Sequence, residues 1–114
     1  MPVSEGIVRK EALALEGVVE APSYGTPGFR VRGKLFARLH DDGESLVVRV
    51  DPIERELMLT ANPDVFFITD HYLGHPWVLV RLARISATLL RATLREAWEV
   101  AQLKAPAGAV KRRG

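Results

Sequence analysis

The rhythm of apolar and polar positions changes several times along the chain, and each change marks an element. Val8, Ala12 and Leu15 recur at helical spacing behind Ser4. Ser4 is a good N-cap and Glu5 favours the first turn, so a helix is expected over about residues 5–15, ended by Gly17. Residues 18–21 read as a short strand, and Pro22 with Gly25-Thr26-Pro27-Gly28 predicts a loop. The period then drops to two. Phe29 and Val31 alternate with Arg30 and Arg32, and Gly33 makes a tight turn. Leu35, Ala37 and Leu39 alternate with Lys34, Phe36, Arg38 and His40. Leu46, Val48 and Val50 alternate with Val47 and Arg49 after the Asp42-Gly43 turn signal. Three antiparallel strands follow, each with one apolar face.

The sharpest local signal is Asp51-Pro52-Ile53-Glu54. Asp51 caps, Pro52 takes the first helical position, and Glu54 can cap back. A short helix to about Ala61 is expected, with Ile53, Leu57 and Ala61 inward, stopped by Asn62-Pro63. Residues 65–69 read as a strand, 70–76 as a loop and 77–82 as a strong strand. Ser86 caps a long helix to about Lys104, whose wheel gathers Leu89, Leu90, Leu94, Ala97, Trp98, Val100 and Ala101 on one half. The order α-β-β-β-β-α-β-β-α, with helices alternating with hairpins, predicts an α+β fold: an antiparallel sheet with helices packed on it. One domain is expected over residues 1–104, followed by a flexible basic tail over 105–114.

Composition narrows the chemistry. There is no cysteine among the 114 residues, which excludes disulfides, thiolate metal sites and thiol nucleophiles. No apolar run approaches the roughly 20 residues of a membrane helix, and the N-terminus does not read as a signal peptide, so a cytoplasmic protein without a membrane partner is expected. The formal net charge is +2. Without Lys104, Lys111, Arg112 and Arg113 the rest sums to −2, so the apparent basicity belongs to the tail. Twelve of the sixteen basic residues are Arg.

Several blocks, in their order and spacing, carry a family resemblance over roughly residues 5–104. They are Pro27-Gly28-Phe29-Arg30-Val31, Gly33-Lys34-Leu35-Phe36-Ala37, Val50-Asp51-Pro52, and Phe66-Phe67 leading through His71-Tyr72 to Pro76-Trp77-Val78-Leu79-Val80. This pattern resembles the MmcQ/YjbR family of small bacterial proteins. The resemblance implies a compact α+β domain similar in architecture to secretion chaperones, and DNA binding through a double-wing motif. The run Leu73-Gly74-His75-Pro76 departs from the Asn-Lys pair and His that precede the Trp in some members.

The candidate site is the polar face of the strands. Alternation predicts a stripe of Arg30, Arg32, Lys34 and Arg38, joined by Arg49 and Arg81, with Phe36 and Trp77 interleaved. Arginines neutralise phosphates and aromatics stack on bases, which suits nucleic acid. Asn62 and Gln102 are the only carboxamides, so low sequence specificity is expected. Tyr72, His75 and Trp77 form a second group able to line a pocket, and with Phe36 an exposed apolar patch there points to a small-ligand or protein partner instead. His40-Asp41-Asp42 with His71 and His75 has metal-ligand residue types, but reads first as a hairpin turn. With no phosphate loop or paired catalytic carboxylates in view, the chain is expected not to be an enzyme and to need no metal or cofactor. Both a monomer and a homodimer through a sheet edge fit this reading.

Overall fold

The computed structural model describes residues 3–103. The expected basic tail lies outside the described residues. The elements are α1 (Glu5–Leu13), β1 (Val18–Ser23), β2 (Thr26–Val31), β3 (Lys34–Leu39), β4 (Ser45–Arg49), α2 (Pro52–Ala61), β5 (Phe66–Phe67), β6 (Trp77–Arg81) and α3 (Ala87–Ala101), with a single 3-10 turn at Asp70–Tyr72. The fold is α+β, in the expected order. The six strands form one antiparallel sheet, ordered β1-β2-β3-β4-β6-β5. The three predicted caps are made: Ser4 accepts from the Ile7 N–H, Asp51 from Ile53 and Glu54, and Ser86 from Leu89.

All three helices feed one core on one face of the sheet. Val8 and Ala12 of α1 and Leu90, Leu94, Ala97 and Ala101 of α3 pack on Phe29, Val31, Ala37, Leu39, Leu46, Val48, Val78 and Val80. Met58 and Leu59 of α2 close its margin. Among the described residues the opposite face carries no α-helix. A smaller cluster of Val47, Leu79 and Tyr72, with Phe67 and Trp77 against it, holds the 70–76 loop there.

The expected loop at residues 22–28 is instead a hairpin. β1 continues through Pro22 to Ser23, and Tyr24 and Gly25 form a two-residue turn, both with positive φ (56° and 83°). Pro22 is tolerated because β1 is an edge strand. The next turn repeats the geometry with Arg32 (φ 52°) and Gly33 (φ 78°), the handedness that suits a tight hairpin. Gly28 is needed for space: a Cβ there would lie 2.8 Å from Ser23 Cβ and 3.1 Å from Leu35 Cδ1.

A bulge in the β2–β3 ladder corrects the alternation. Phe29 pairs with Ala37, but Arg30 pairs with Leu35, so Phe36 is the extra residue. An extra residue inverts the parity beyond it. Phe36 therefore turns into the core, 0% exposed, and Leu35 takes the other face. Lys34, paired with Val31, lies on the helix side.

Helix α2 is also rotated from expectation. Ile53 and Leu57 are 71% and 59% exposed, while Arg55, Met58 and Leu59 face inward. Apolar residues surround most of this helix, so the 3.6-residue period alone does not select a face. The predicted strand at residues 65–69 shortens to Phe66–Phe67.

Candidate functional site

Four arginines share the helix-free face. Arg38 lies in the row Gly28–Arg38–Val47–Leu79–Phe67, Arg49 pairs with Trp77, Arg81 pairs with Ser45, and Arg30 pairs with Leu35. Three of them lie over aromatic rings. The Cζ to ring-centroid distance is 5.1 Å for Arg38 over Tyr24, 4.7 Å for Arg49 over Trp77 and 4.2 Å for Arg81 over Phe67. Among the described residues, Arg30, Arg49 and Arg81 form no ion pair with a carboxylate. Arg38 has a long one, 3.7 Å to exposed Asp41. Ring contacts fix a guanidinium electrostatically without adding a negative charge beside it.

The predicted stripe is therefore partly assembled. Arg30, Arg38, Arg49 and Arg81 come together on one face. Arg32 does not join them: it occupies the β2–β3 turn and donates to Gln102 Oε1 at 3.2 Å. Lys34 lies on the helix side, and buried Phe36 has no surface on which a base could stack. Phe67 and Tyr24 supply rings there instead. Alternation could not find Tyr24, because it sits at a turn.

Between Tyr24 and Trp77 lies a cavity of about 400 Å³, lined also by Leu35, Arg38, Asp41, Val47, His71, Tyr72 and His75. The group Tyr72, His75 and Trp77 thus does line a pocket. Arg38 forms its back wall and is largely satisfied. Its Nη1 donates to Thr26 Oγ1 and the Leu39 carbonyl, each at 3.2 Å, and its Nη2 donates to Tyr72 Oη at 3.1 Å. Tyr72 is further held edge-on against His71, with centroids 4.9 Å apart.

The loop carrying these residues is anchored by Arg55, which the sequence did not single out. Its Nη1 donates to the carbonyls of Tyr72 (3.3 Å), His75 (2.7 Å) and Trp77 (3.2 Å), and its Nη2 to that of Leu73 (3.2 Å). One buried cation thus gathers four carbonyls of a segment that has little regular structure to satisfy them. The available signal was spacing: Arg55, Met58, Leu59 and Asn62 fall at i, i+3, i+4 and i+7.

His40 stays in its hairpin, with Nδ1 3.4 Å from Asp42 Oδ2 and its ring edge-on to Tyr72, centroids 6.4 Å apart. Among the described residues no three His, Asp or Glu side chains are arranged to hold a metal ion. At the far end of β4 a smaller cleft of about 190 Å³ collects Arg49, Asp51, Glu54, Glu96 and Glu99 between α2 and α3. Burial, with Glu54 and Glu99 nearby, raises the Glu96 carboxyl above the usual carboxylate range. Burial likewise lowers the affinity of Arg49 for its proton. Among the described residues no helix is long and apolar enough to cross a membrane.

The YjbR family model matches residues 13–100. The chain belongs to the YjbR family. Its architecture is similar to the crystal structure of a Deinococcus radiodurans protein with a DUF419 domain. The TM-score is 0.75 at 22% identity, over 93% of this chain and 84% of that one. At that identity the likeness concerns the fold. Uncharacterized proteins of Mycobacterium tuberculosis and Mycobacterium bovis are each 42% identical over 57 residues, 49% of this chain and 44% of theirs. The match thus spans under half the length of these relatives.

Proposed function

We propose that this YjbR domain binds nucleic acid through its helix-free sheet face, with low sequence specificity and by binding alone. The carrying observation is the contrast in what the arginines pair with. On the helix side, Arg9 pairs with Glu5 and Glu20, Arg91 with Glu11, and Arg95 with Glu99, although Arg95 also lies 5.7 Å from the Trp98 ring centroid. On the open face, Arg49 and Arg81 lie over Trp77 and Phe67 instead. Arg49 donates its Nε to the Leu35 carbonyl at 2.9 Å and Arg81 its Nη1 to that of Pro63 at 3.3 Å, which leaves their remaining donors to phosphates and the neighbouring rings to stacking. Arg38 is a positioning residue here, because its donors are already engaged. The cavity supports a second reading, a small planar ligand, as the purpose of the same face.

End-labelled DNA titrated with the protein and followed by fluorescence anisotropy tests the proposal. Binding at low salt that falls steeply as salt rises is expected, as counterion release requires. Replacing Arg30, Arg49 and Arg81 together by Gln should abolish it. No binding at low salt, or binding untouched by the triple variant, would overturn the proposal.

A further inference from the structure

The cavity between Tyr24 and Trp77 has features that a flat polyanion-binding face does not need. Its volume of about 400 Å³ lies within the range of small-molecule sites. Its lining combines the rings of Tyr24, Tyr72 and Trp77 with Leu35 and Val47, the Asp41 carboxylate, and two imidazoles, His71 and His75, that can donate and accept hydrogen bonds. That combination of flat rings and polar groups is how proteins receive a base taken out of its stack.

Tyr24 strengthens the case. It is 81% exposed at the tip of the β1–β2 turn, with a backbone φ of 56°. A bulky residue is disfavoured there, and Asn or Gly is the ordinary occupant. The turn thus accepts local strain while presenting an unburied ring over the cavity, with Arg38 at 5.1 Å behind it. The opposite side is fixed. The carbonyls of Tyr72, Leu73, His75 and Trp77 are all held by Arg55, so the cavity exists before any ligand arrives.

We propose that this cavity takes one unstacked nucleobase from a strand lying on the open face, with the ring between Tyr24 and Trp77 and its edge toward His71 and His75. The proposal rests on the nucleic-acid reading of that face and deepens it. A paired base cannot enter, so the domain prefers single strands to duplex, and Arg30, Arg49 and Arg81 contact phosphates whichever form is bound.

The test uses a short single strand with a central 2-aminopurine and an end label, compared with the same strand annealed to its complement. Binding to the single strand should change the 2-aminopurine emission, which reports on its stacking. Tyr24→Ala and His75→Ala alter exposed side chains. Together they should weaken single-strand binding about tenfold and leave duplex binding unchanged. Tyr24→Phe, which keeps the ring, should restore most of the loss seen with Tyr24→Ala. Arg81→Gln should weaken both forms. If both forms bind but the Tyr24 and His75 variants weaken them equally or not at all, the base pocket is wrong and the sheet-face reading stands. If neither form binds, both proposals fall.

Discussion

The two faces of this sheet are built from the same strands and solve different problems. On the covered face, Phe29, Phe36, Leu46, Val48, Val78 and Val80 are all but sealed from solvent beneath α1 and α3. Two arginines at the border of that face, Arg9 and Arg91, are matched with acids. Arg9 and Arg91 hold the carboxyls of Glu20 and Glu11 below the usual range through direct hydrogen bonds. On the open face, three guanidinium groups lie over rings; Arg38 has a 3.7 Å ion pair with Asp41, and Arg49 borders the acidic cleft of Glu54, Glu96 and Glu99 without pairing with any of them. Exposed arginines are often neutralised by cross-strand acids. Here the close arginine–carboxylate pairs, 2.8–3.1 Å, stand on the helix side, and the closest arginine–ring contacts, 4.2–5.1 Å, on the side proposed to bind. The protein therefore holds a local positive surface, although residues 1–103 carry slightly more acid than base.

Substitutions that separate the faces can break this comparison. The largest effect belongs to Phe36→Ala. Emptying a fully buried phenylalanine site should cost about 3–5 kcal/mol by denaturant unfolding. If Phe36 instead stacked on a ligand from the surface, stability would barely change. Arg55→Met comes next, about 3 kcal/mol, because it strips a charge-assisted donor from four loop carbonyls. It should also raise hydrogen exchange across residues 70–77 more than across α3. A uniform loss would show that Arg55 does not act through that loop.

Arg81→Gln should change stability by only about 1 kcal/mol, as expected for an exposed cation–ring contact, and Arg49→Gln by about 2 kcal/mol, since that half-buried side chain also donates to the Leu35 carbonyl, while nucleic-acid affinity collapses. The smallest effect is that of Glu96→Gln. The folded-state pKa of Glu96 is raised, so its ionised form disfavours the fold above that pKa, and this penalty fades as pH falls to the unfolded value. Glu96→Gln should therefore raise Tm slightly near pH 7, and the gain should vanish toward pH 4. A gain that grows as the medium is acidified would contradict the origin assigned to the shift.

Local chemistry made much of the fold legible. Ser4, Asp51-Pro52 and Ser86 fixed three helix starts because capping depends on neighbours in sequence. Period-two alternation placed Arg30, Arg38, Arg49 and Arg81 on one face correctly. It failed at Phe36 and Lys34, because a bulge is a property of two strands together and leaves no mark in either alone. It missed Tyr24 because Pro22 and the Gly-Thr-Pro-Gly run spell a loop to local rules, while pairing with β2 makes an edge strand of it. Arg55 was hidden because its partners are backbone carbonyls 17 to 22 residues away, which side-chain patterns do not register.

The central claim is that the arginines facing rings, and not basic charge in general, carry the binding. The most direct measurement compares two charge-matched double variants by anisotropy on the same labelled single strand at low salt. One is Arg49→Gln with Arg81→Gln on the open face. The other is Arg9→Gln with Arg91→Gln on the helix side, whose guanidinium groups pair with carboxylates. Each removes two positive charges. The open-face pair should lose at least tenfold in affinity and flatten the salt dependence, while the helix pair stays close to the parent protein. Equal losses from both pairs would contradict the account.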